Sequence, residues 1–567
     1  MLNMEKNTDR KWWKEGVVYQ IYPRSFQDTT GNGIGDLQGI IKRLDYIKSL
    51  GVDIIWLNPV YTSPNDDNGY DISDYRNIMS EFGTMADIDE LMTEMKKRGL
   101  RLVMDLVVNH SSDEHEWFIE SRKSRDNEYR DYYHWWPAEK GTPPKRFSYF
   151  DVDSNAWKYD EPTDSYYLHY YSAKQPDLKW ENPKVREEVY DLMKFWFEKG
   201  VDGFRMDVIS TISKDIDYPE LPGKYKGDFI PYYADGPHLH EYIKEMNQEV
   251  LSKYDVMTVG EAPGVSKEQA LNFVDEDRKE LNMFFHFSLM SLDREPGETF
   301  KMRQEQWKLT EFKKIFSEWD DVFAEKGWGS LYLNNHDFPR SVSRWGNDSK
   351  MHWQNSATLL QTFLLSMRGT PYFLYGEEIG MTNIKFDRIT DYQDINTRTR
   401  YEGIKKAGGD LNAFIQDEKR AGRDNARTPM QWGTNLNSGF TKAKPWLKVN
   451  DNFKEGINVA EQEPEKDSVL NYFRNMVQVR KNHLALVYGD YRLLLAKNEQ
   501  VYAYLRTWEN ERFLVLLNFS TKRNSVTIDE VHFNKAHLII SNDDAINNKT
   551  DNSFELTPYQ AVIYKVF

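Results

Sequence analysis

Three acidic residues, Asp207, Glu261 and Asp337, each follow a short and mainly apolar run. If the three runs are strands of one sheet, the carboxylates that follow them could point into one pocket. Glycoside hydrolysis uses two carboxylates that flank the bond to be broken. The third acid could hold the hydroxyl groups of the sugar. The chemistry that these residue types favour is therefore cleavage of a glycosidic bond.

The elements that would position these acids alternate between strands and helices. Short apolar runs such as 54–57 indicate strands that are buried on both faces, and stretches with helical periodicity follow them and end at a glycine. This alternation favours parallel strands. The predicted strands are 17–21, 54–57, 102–107, 203–207, 257–260, 283–287, 330–334 and 371–375.

Eight such strands predict an α/β fold, a (β/α)8 TIM barrel, in which catalytic residues lie where strands end. The polar and aromatic stretch 109–175 has no regular period, which predicts a subdomain inserted after strand 3. After residue 486 the pattern changes to that of antiparallel strands. The predicted domains are the first part of the catalytic barrel (1–108), an inserted B subdomain (109–175), the second part of the barrel (176–485) and a C-terminal antiparallel β-sandwich domain (486–567).

Composition excludes several other classes of protein. The 567 residues carry a net charge of −16, which argues against a nucleic-acid partner. There is no cysteine, so disulfides, thiolate catalysis and zinc–cysteine sites are excluded. No apolar signal core opens the chain, and no stretch of about 20 apolar residues could span a membrane. We expect a cytoplasmic protein without a membrane partner, either a monomer or a small homo-oligomer.

A second set of polar residues lies in the glycine-rich segment 28–36. Asp28, Thr30 and Asn32 place side-chain oxygens at alternate positions, and Asp36 closes the segment. This spacing is similar to that of an EF-hand loop without its final glutamate. The other interpretation is a glycine-rich turn held by hydrogen bonds from the Asx side chains.

Four motifs, in order along the predicted barrel, resemble those of the α-amylase family of glycoside hydrolases (family 13). They are 105–110, 203–207, Glu261 and 335–337. The segment 175–178 resembles an additional motif of the oligo-1,6-glucosidase and α-glucosidase branch, which is close to the sucrose isomerases. The resemblance extends from Trp12 into the C-terminal domain.

The resemblance implies a role for each acid. Asp207 would be the nucleophile, and Glu261 would protonate the leaving oxygen and later deprotonate water. Asp337 would hold the ring hydroxyls while the sugar distorts. Arg205, two residues before the nucleophile on the same strand face, would keep Asp207 ionised by charge pairing.

The resemblance also implies residues that bind the terminal glucose. His110 and His336 would bond the same sugar. Asp67 and Tyr70 would close the pocket together with Arg423, which faces them. A pocket closed in this way admits only the end of a chain, so the enzyme would be exo-acting.

The linkage and the acceptor are less well defined by the sequence. Val208 after the nucleophile and the segment 263–265 resemble α-1,6-specific members of the branch. One methyl or hydroxyl group in a pocket changes specificity by only about 1–3 kcal/mol. Phe287 matches one of the two clamp phenylalanines of the sucrose isomerases, whereas Pro263 stands at the position of the other.

Several positions differ from the pattern of the oligo-1,6-glucosidases. Phe338 and Tyr375 each replace a glutamine, Asn396 replaces a glutamate that helps to bind the second sugar, and 150–157 replaces a shorter glycine pair. We expect these positions to surround the leaving group, with Phe150 and Asn396 among the substrate-binding residues. The hypothesis is unchanged hydrolytic chemistry with a shifted acceptor preference.

The resemblance further implies that segment 28–36 binds a structural Ca²⁺, with Mg²⁺ as an alternative, and that Ile34 adds its carbonyl oxygen to the ligands Asp28, Thr30, Asn32 and Asp36. No organic cofactor is expected.

Three functions follow from the sequence. The first is a retaining exo-acting α-glucosidase that acts on short α-glucosides, either oligosaccharides or disaccharides, with α-1,6 linkages favoured as in isomalto-oligosaccharides. The second is a sucrose isomerase or transglucosylase that uses the same glucosyl-enzyme intermediate. The third, a non-catalytic partner of an amino-acid transporter, is disfavoured. Such proteins have lost catalytic acids and have a membrane anchor, whereas this sequence keeps all three acids and shows no anchor.

Overall fold

The structure, a computed structural model, describes residues 10–221, 229–296, 298, 301–324, 326–546 and 548–567. Eight parallel strands form its central barrel. They are β1 (Val18–Ile21), β2 (Ile54–Leu57), β3 (Arg101–Leu106), β4 (Gly203–Met206), β5 (Met257–Glu261), β6 (Met283–Phe285), β7 (Ser330–Leu331) and β8 (Thr370–Leu374). The order of hydrogen-bonded neighbours is β6-β5-β4-β3-β2-β1-β8-β7, and β6 and β7 lie side by side at the ends of this order. The barrel is therefore nearly closed, and the predicted fold class is confirmed.

The register of the central strands aligns the polar residues of the barrel. β3 and β4 pair in parallel with Asp105 opposite Arg205, and β4 and β5 pair with Arg205 opposite Val259. Side chains two residues apart on a strand point to the same face. Arg205 and Asp207 therefore lie on the same side of β4, next to Asp105 on β3.

Helices connect the strands, as the periodicity predicts. The helix Pro183–Lys199 buries Val185, Val189 and Trp196 on one face and ends at Gly200, whose φ of 111° suits a glycine. The helices are Trp12–Glu15, Leu37–Lys42, Leu44–Ser49, Met85–Lys97, Glu116–Ser121, Pro183–Lys199, Leu239–Glu249, Ala270–Val274, Leu309–Phe323, Ser341–Trp345, Trp353–Ser366, Ile395–Lys406, Leu411–Ala421, Asp424–Arg427, Val459–Gln462, Val469–Asn482 and Leu484–Tyr488.

The chain between β3 and the helix Pro183–Lys199 forms a small excursion with its own sheet. Its three antiparallel strands are Trp135–Pro137, Trp157–Asp160 and Ser165–Leu168, with the last in the middle. Isolated bridges join His110 to Asp177 and Tyr133 to Leu178. These bridges bring the end of the excursion back to the end of β3, beside the barrel. A short antiparallel pair, Tyr61–Thr62 and Asp74–Ile78, follows β2.

The C-terminal strands are β9 (Asp490–Leu494), β10 (Val501–Trp508), β11 (Glu511–Asn518), β12 (Asn524–Thr527), β13 (Ala536–Ser541), β14 (Asn548–Lys549), β15 (Ser553–Leu556) and β16 (Ala561–Val566). Six of them form an antiparallel sheet in the order β9-β10-β11-β16-β13-β14, while β12 pairs with β15. Apolar side chains of both sheets, such as Leu514 and Phe554, share one core. Within the described ranges, no helix is long and apolar enough to cross a membrane.

Candidate active site

A cavity of about 500 Å³ lies at the carboxyl ends of the barrel strands. It contains every residue that the sequence analysis assigned to catalysis or substrate binding except Arg205, which lies fully buried below it. The residues so assigned that line it are Asp67, Tyr70, His110, Phe150, Asp207, Glu261, Phe287, His336, Asp337, Asn396 and Arg423.

Arg205 contacts three carboxylates below the floor of the cavity. Its Nη1 lies 2.7 Å from Oδ1 of Asp105 and 2.6 Å from Oδ1 of Asp207. Its Nη2 lies 2.8 Å from Oε2 of Glu261, which also accepts a hydrogen bond from the backbone N–H of Val208 at 3.0 Å. One guanidinium group therefore positions Asp207 and Glu261 next to each other.

Burial gives the two acids different proton affinities. It raises the pKa of Asp207 to about 6, and the charge and hydrogen bond of Arg205 limit this increase. It raises the pKa of Glu261 to about 8, because the neighbouring charges of Asp207 and Asp337 add to the effect of burial. Near neutral pH, Asp207 is therefore ionised and Glu261 holds a proton. Two carboxyl groups with separated pKa values are the usual basis for dividing acid and nucleophile roles.

Asp337 is held as a permanent anion. Its Oδ1 accepts from Nε of Arg423 at 2.7 Å and from Nη2 of Arg427 at 3.0 Å, and Nη2 of Arg423 contacts the same oxygen. Nε2 of His336 lies 3.2 Å from its other oxygen. The two arginines hold the pKa of Asp337 well below its usual range, although the partial burial of the side chain, which is 21% exposed, opposes this effect. Asp337 can therefore only accept hydrogen bonds, as a group that binds hydroxyls should.

One end of the cavity is closed by Asp67 and Arg423. Nη1 of Arg423 lies 3.6 Å from Oδ1 of Asp67, and Gln175 donates to Oδ2 of Asp67 at 3.2 Å. Oδ1 of Asp67 is buried without a hydrogen-bond partner, and burial raises the pKa of Asp67 to about 8. Tyr70 stacks on His336 with ring centroids 5.2 Å apart. The carboxyl oxygen of Asp67 that has no partner could form a hydrogen bond with a hydroxyl group of a ligand bound at this closed end.

Part of the cavity lining is aromatic. Phe287 and Phe338 meet edge to face with centroids 5.8 Å apart. Phe150 lies 5.5 Å from the guanidinium of Arg423 and 5.5 Å from the ring of Tyr171. Asn396 lies in the first turn of the helix Ile395–Lys406 and lines the same cavity.

Tyr375 is an exception to the expected ring of acceptor-side residues. It is fully buried and does not line the cavity. Its hydroxyl donates to the carbonyl oxygen of Thr428 at 2.7 Å, and its ring packs edge to face against Phe26. The expectation that Tyr375 faces the leaving group was wrong, because its ring packs against Phe26 and its hydroxyl bonds to the backbone of Thr428.

The glycine-rich segment 28–36 forms a closely hydrogen-bonded loop. Asp28 accepts from the backbone N–H groups of Thr30, Gly31 and Gly33, and Asn32 accepts from that of Ile34. Asp36 caps the following helix through the N–H of Gly39 at 2.7 Å. These side chains offer only oxygen, the ligand type that Ca²⁺ and Mg²⁺ prefer. Among the described residues, no cluster of three or more His, Cys, Asp or Glu side chains could hold a metal, so a cation here would also need neutral oxygens.

Two charged residues that help to form the site, Asp394 and Arg427, were not predicted from the sequence. Oδ1 of Asp394 lies 3.1 Å from Nη1 of Arg423 and 3.4 Å from Nη1 of Arg427. A sequence signal existed for both. Arg427 follows Arg423 by four residues, the spacing that places two side chains on one helical face. Asp394 immediately precedes a helix and caps it through the N–H of Thr397.

Known proteins resemble this chain over nearly its whole length. Residues 20–489 match the model of the α-amylase catalytic domain, and residues 491–563 match the maltogenic amylase C-terminal domain. The oligo-1,6-glucosidase of Parageobacillus thermoglucosidasius is 53% identical over 98% of this chain and 99% of its own, and that of Bacillus cereus is 51% identical over 98% and 100%. The crystal structure of isomaltulose synthase from Erwinia rhapontici NX5 superposes with a TM-score of 0.95 at 45% identity, covering 99% of this chain and 100% of that one. The chain belongs to the α-amylase catalytic-domain family and is a glycoside hydrolase.

Proposed function

We propose that the protein is a retaining exo-acting α-glucosidase that cleaves terminal glucose from short α-glucosides and favours α-1,6 linkages. The observation that carries the proposal is the contact of Arg205 with both Asp207 and Glu261 at the floor of a cavity. That contact places an ionised and a protonated carboxyl group side by side. A retaining mechanism needs such a pair on either side of the sugar–oxygen bond.

The reaction proceeds in two displacements. The carboxylate of Asp207 attacks the anomeric carbon, and Glu261 gives its proton to the departing oxygen, which leaves a glucosyl ester on Asp207. Glu261, now ionised, takes a proton from water, and the resulting hydroxide displaces Asp207 from the sugar. Asp337, fixed by Arg423 and Arg427, accepts hydrogen bonds from the ring hydroxyls throughout.

The exo mode of action is inferred from the closed end of the cavity. Oδ1 of Asp67 and Nη1 of Arg423 are 3.6 Å apart, and Gln175 donates a hydrogen bond to Oδ2 of Asp67. A glucan chain cannot continue past these side chains. Only a terminal glucose can therefore reach Asp207, and the cavity must release the rest of the substrate at its other side.

The α-1,6 preference is supported by Val208 and by the relatives. Val208 lines the cavity directly after Asp207, with a φ of 36° that is unusual for a β-branched residue. Its backbone is held by the hydrogen bond to Glu261, so its side chain has a fixed direction. The two oligo-1,6-glucosidases described above are about half identical to this chain over its whole length.

A second candidate is a sucrose isomerase or transglucosylase, and the Phe287–Phe338 pair favours it. The sequence lacks the second clamp phenylalanine, since Pro263 stands there. Phe338 supplies a second ring beside Phe287 from another position. Two apolar rings at the acceptor side could retain a released sugar long enough to attack the glucosyl ester in place of water.

A substrate screen separates the two candidates. Purified protein is assayed on isomaltose, panose, maltose, sucrose, trehalose, kojibiose and nigerose, and the products are resolved by chromatography. Highest kcat/KM on isomaltose, with glucose as the product, supports the hydrolase. Isomaltulose or trehalulose formed from sucrose, in excess of glucose plus fructose, contradicts the hydrolase and supports the isomerase. Highest activity on an α-1,4-linked substrate contradicts the linkage preference.

The cation, the location and the assembly state are also proposals. We propose that Asp28, Thr30, Asn32, Ile34 and Asp36 bind a structural Ca²⁺ or Mg²⁺, which would supply electrostatic cross-linking of the loop and no catalytic step. We further propose a cytoplasmic monomer or small homo-oligomer whose partner is an oligosaccharide or disaccharide. Cell fractionation and light scattering after gel filtration test the last two proposals.

A further inference from the structure

Lys214 is a buried cation that joins three segments around the active site. Its side chain is about 1% exposed, and it lies in the segment that follows β4. Its Nζ lies 2.6 Å from Oδ1 of Asn109, at the end of β3, and 3.0 Å from Oδ2 of Asp177, at the end of the inserted excursion. The mechanism described above does not use this lysine.

The contact with Lys214 determines the orientation of the Asn109 amide. An ammonium group can only donate hydrogen bonds, so the atom of Asn109 that faces Nζ must be the carbonyl oxygen. The hydroxyl of Thr211 lies 3.1 Å from the same oxygen. The amide nitrogen of Asn109 is therefore directed the other way, where it lies 3.1 Å from Nδ1 of His110.

The orientation of Asn109 in turn determines which nitrogen of His110 carries the proton. An amide NH₂ donates, so Nδ1 of His110 must accept. His110 is 2% exposed, and burial lowers its pKa to about 4, so the ring is neutral near pH 7 and has one proton. That proton is on Nε2, which lies 3.2 Å from the carbonyl oxygen of Tyr70. This edge of the ring lies next to the closed end of the cavity. The amide nitrogen of Gln175 is also 3.2 Å from Nε2, but its two hydrogens have acceptors in Oδ2 of Asp67 and the carbonyl oxygen of Tyr70, so Nε2 does not need to accept.

We propose that Lys214 is a positioning residue, which acts through Asn109 to hold His110 with its proton on Nε2, as a hydrogen-bond donor toward the closed end of the sugar cavity. The proposal rests on the proposed function in one respect, because the benefit arises only if His110 contacts the bound glucose. The tautomer itself is a property of the protein without sugar.

Another role for Lys214 would be purely structural. The lysine could simply offset the charge of the buried Asp177 and hold three segments together. The substitution Asn109→Asp separates the two roles. An aspartate keeps an oxygen facing Lys214 and preserves the side-chain volume. It replaces the N–H donor toward His110 with an acceptor, so the proton should move to Nδ1.

The test is ¹⁵N NMR of histidine-labelled protein without sugar, with His110→Gln identifying the resonance of His110. The variants are Asn109→Asp and Lys214→Met. The matched control is Lys313→Met, because Lys313 is also buried and donates to the carbonyl oxygens of Leu495, Asn498 and Val501, away from the cavity. Inhibition by D-glucose is measured on each variant, together with the double variant Asn109→Asp/His110→Gln.

The proposal predicts an Nε2-protonated His110 in the native protein and a changed protonation pattern in Asn109→Asp. Each single variant at Asn109 and His110 should weaken glucose binding by about 3- to 10-fold, the value of one hydrogen bond. The double variant should be no weaker than either single variant, because both act on the same contact. Lys313→Met should lower stability without changing glucose binding.

An Nδ1-protonated ring in the native protein overturns the proposal, as does an unchanged His110 spectrum in Asn109→Asp or in folded Lys214→Met. If Lys214→Met fails to fold, the result with Asn109→Asp still decides. If the spectrum responds as predicted but His110→Gln binds glucose normally, the control of the His110 tautomer through Asn109 is supported. The assignment of His110 to the sugar is then wrong. The failure of the inference is therefore distinguishable from that of the proposed function.

Discussion

Arg205 on β4 and Asp207, which directly follows that strand, form a buried ion pair in which Nη1 lies 2.6 Å from Oδ1. The same guanidinium reaches Glu261 from Nη2 at 2.8 Å. Because the arginine has no access to solvent, its positive charge is compensated by the carboxylates that it contacts and not by water. The relative proton affinities of the nucleophile and the acid therefore depend on a residue that does not touch the substrate.

Replacing either carboxyl group should remove most of the activity. Asp207→Asn should lower kcat by roughly 10⁴-fold or more, the scale found when a nucleophile is removed. Glu261→Gln should lower kcat about 10²- to 10⁴-fold on isomaltose, but much less on a glucoside with an acidic phenol leaving group, which needs no proton. Asp217→Asn, an exposed acid in the segment after β4, is the control. Full activity of Asp207→Asn would contradict the site assignment.

The pH profile of kcat/KM should be bell-shaped. Below about pH 6, Asp207 gains a proton and can no longer attack, so activity falls as pH decreases. Above about pH 8, Glu261 loses its proton and can no longer protonate the leaving oxygen, so activity falls as pH increases. In Glu261→Gln the alkaline limb should disappear. An alkaline limb unchanged by this substitution would assign that limb to another group.

Opening the closed end of the cavity should weaken glucose binding. Asp67→Ala leaves Arg423 paired with Asp337 and Asp394, so the fold should be retained. Burial raises the pKa of Asp67 to about 8, so near neutral pH the loss is that of an uncharged hydrogen bond of about 0.5–1.5 kcal/mol, which should lower kcat/KM for isomaltose by roughly 2- to 12-fold. Asp66→Asn, which changes the neighbouring residue outside the cavity lining, should have little effect. Equal effects of the two variants would argue against Asp67 as a sugar ligand.

Removing one ring of the Phe287–Phe338 pair should change the acceptor. Phe338→Gln restores the glutamine typical of the branch and should shift the ratio of kcat/KM for isomaltose to that for sucrose by about 5- to 150-fold, which corresponds to 1–3 kcal/mol. Tyr375→Phe is the matched control, because Tyr375 is an aromatic residue at another atypical position but lies outside the cavity. An unchanged ratio in Phe338→Gln would place acceptor preference elsewhere, with Asn396→Glu as the next variant.

Removing divalent cations should lower thermal stability more than activity. If the loop 28–36 binds Ca²⁺, EDTA should lower the Tm of the native protein, and added Ca²⁺ should restore it. Asp28→Asn should make the Tm insensitive to both treatments, whereas kcat at low temperature should remain near that of the native protein. A native Tm that EDTA does not change would favour the hydrogen-bonded loop without a cation.

The sequence by itself determined where the barrel strands lie and which acids follow them. Runs such as 54–57 are apolar on both faces, and the local periodicity between the runs is that of helices. These are short-range properties, and the observed strands Ile54–Leu57 and Met257–Glu261 lie within one residue of the predicted bounds. The four matched motifs were also local, so the three acids and several other residues of the cavity could be predicted from the sequence, whereas Asp394 was not.

Only the tertiary structure decided which side chains meet. Tyr375 and Phe338 are both unusual aromatic residues near strand ends, yet packing buries Tyr375 against Phe26 and leaves Phe338 beside Phe287 in the cavity. Arg205 contacts both Asp207 and Glu261, although Glu261 is on a different strand. The contacts from Lys214 through Asn109 to His110 also join segments that are far apart in sequence. Such contacts are determined by how whole elements pack, and the proton positions that follow from them cannot be inferred from any one segment.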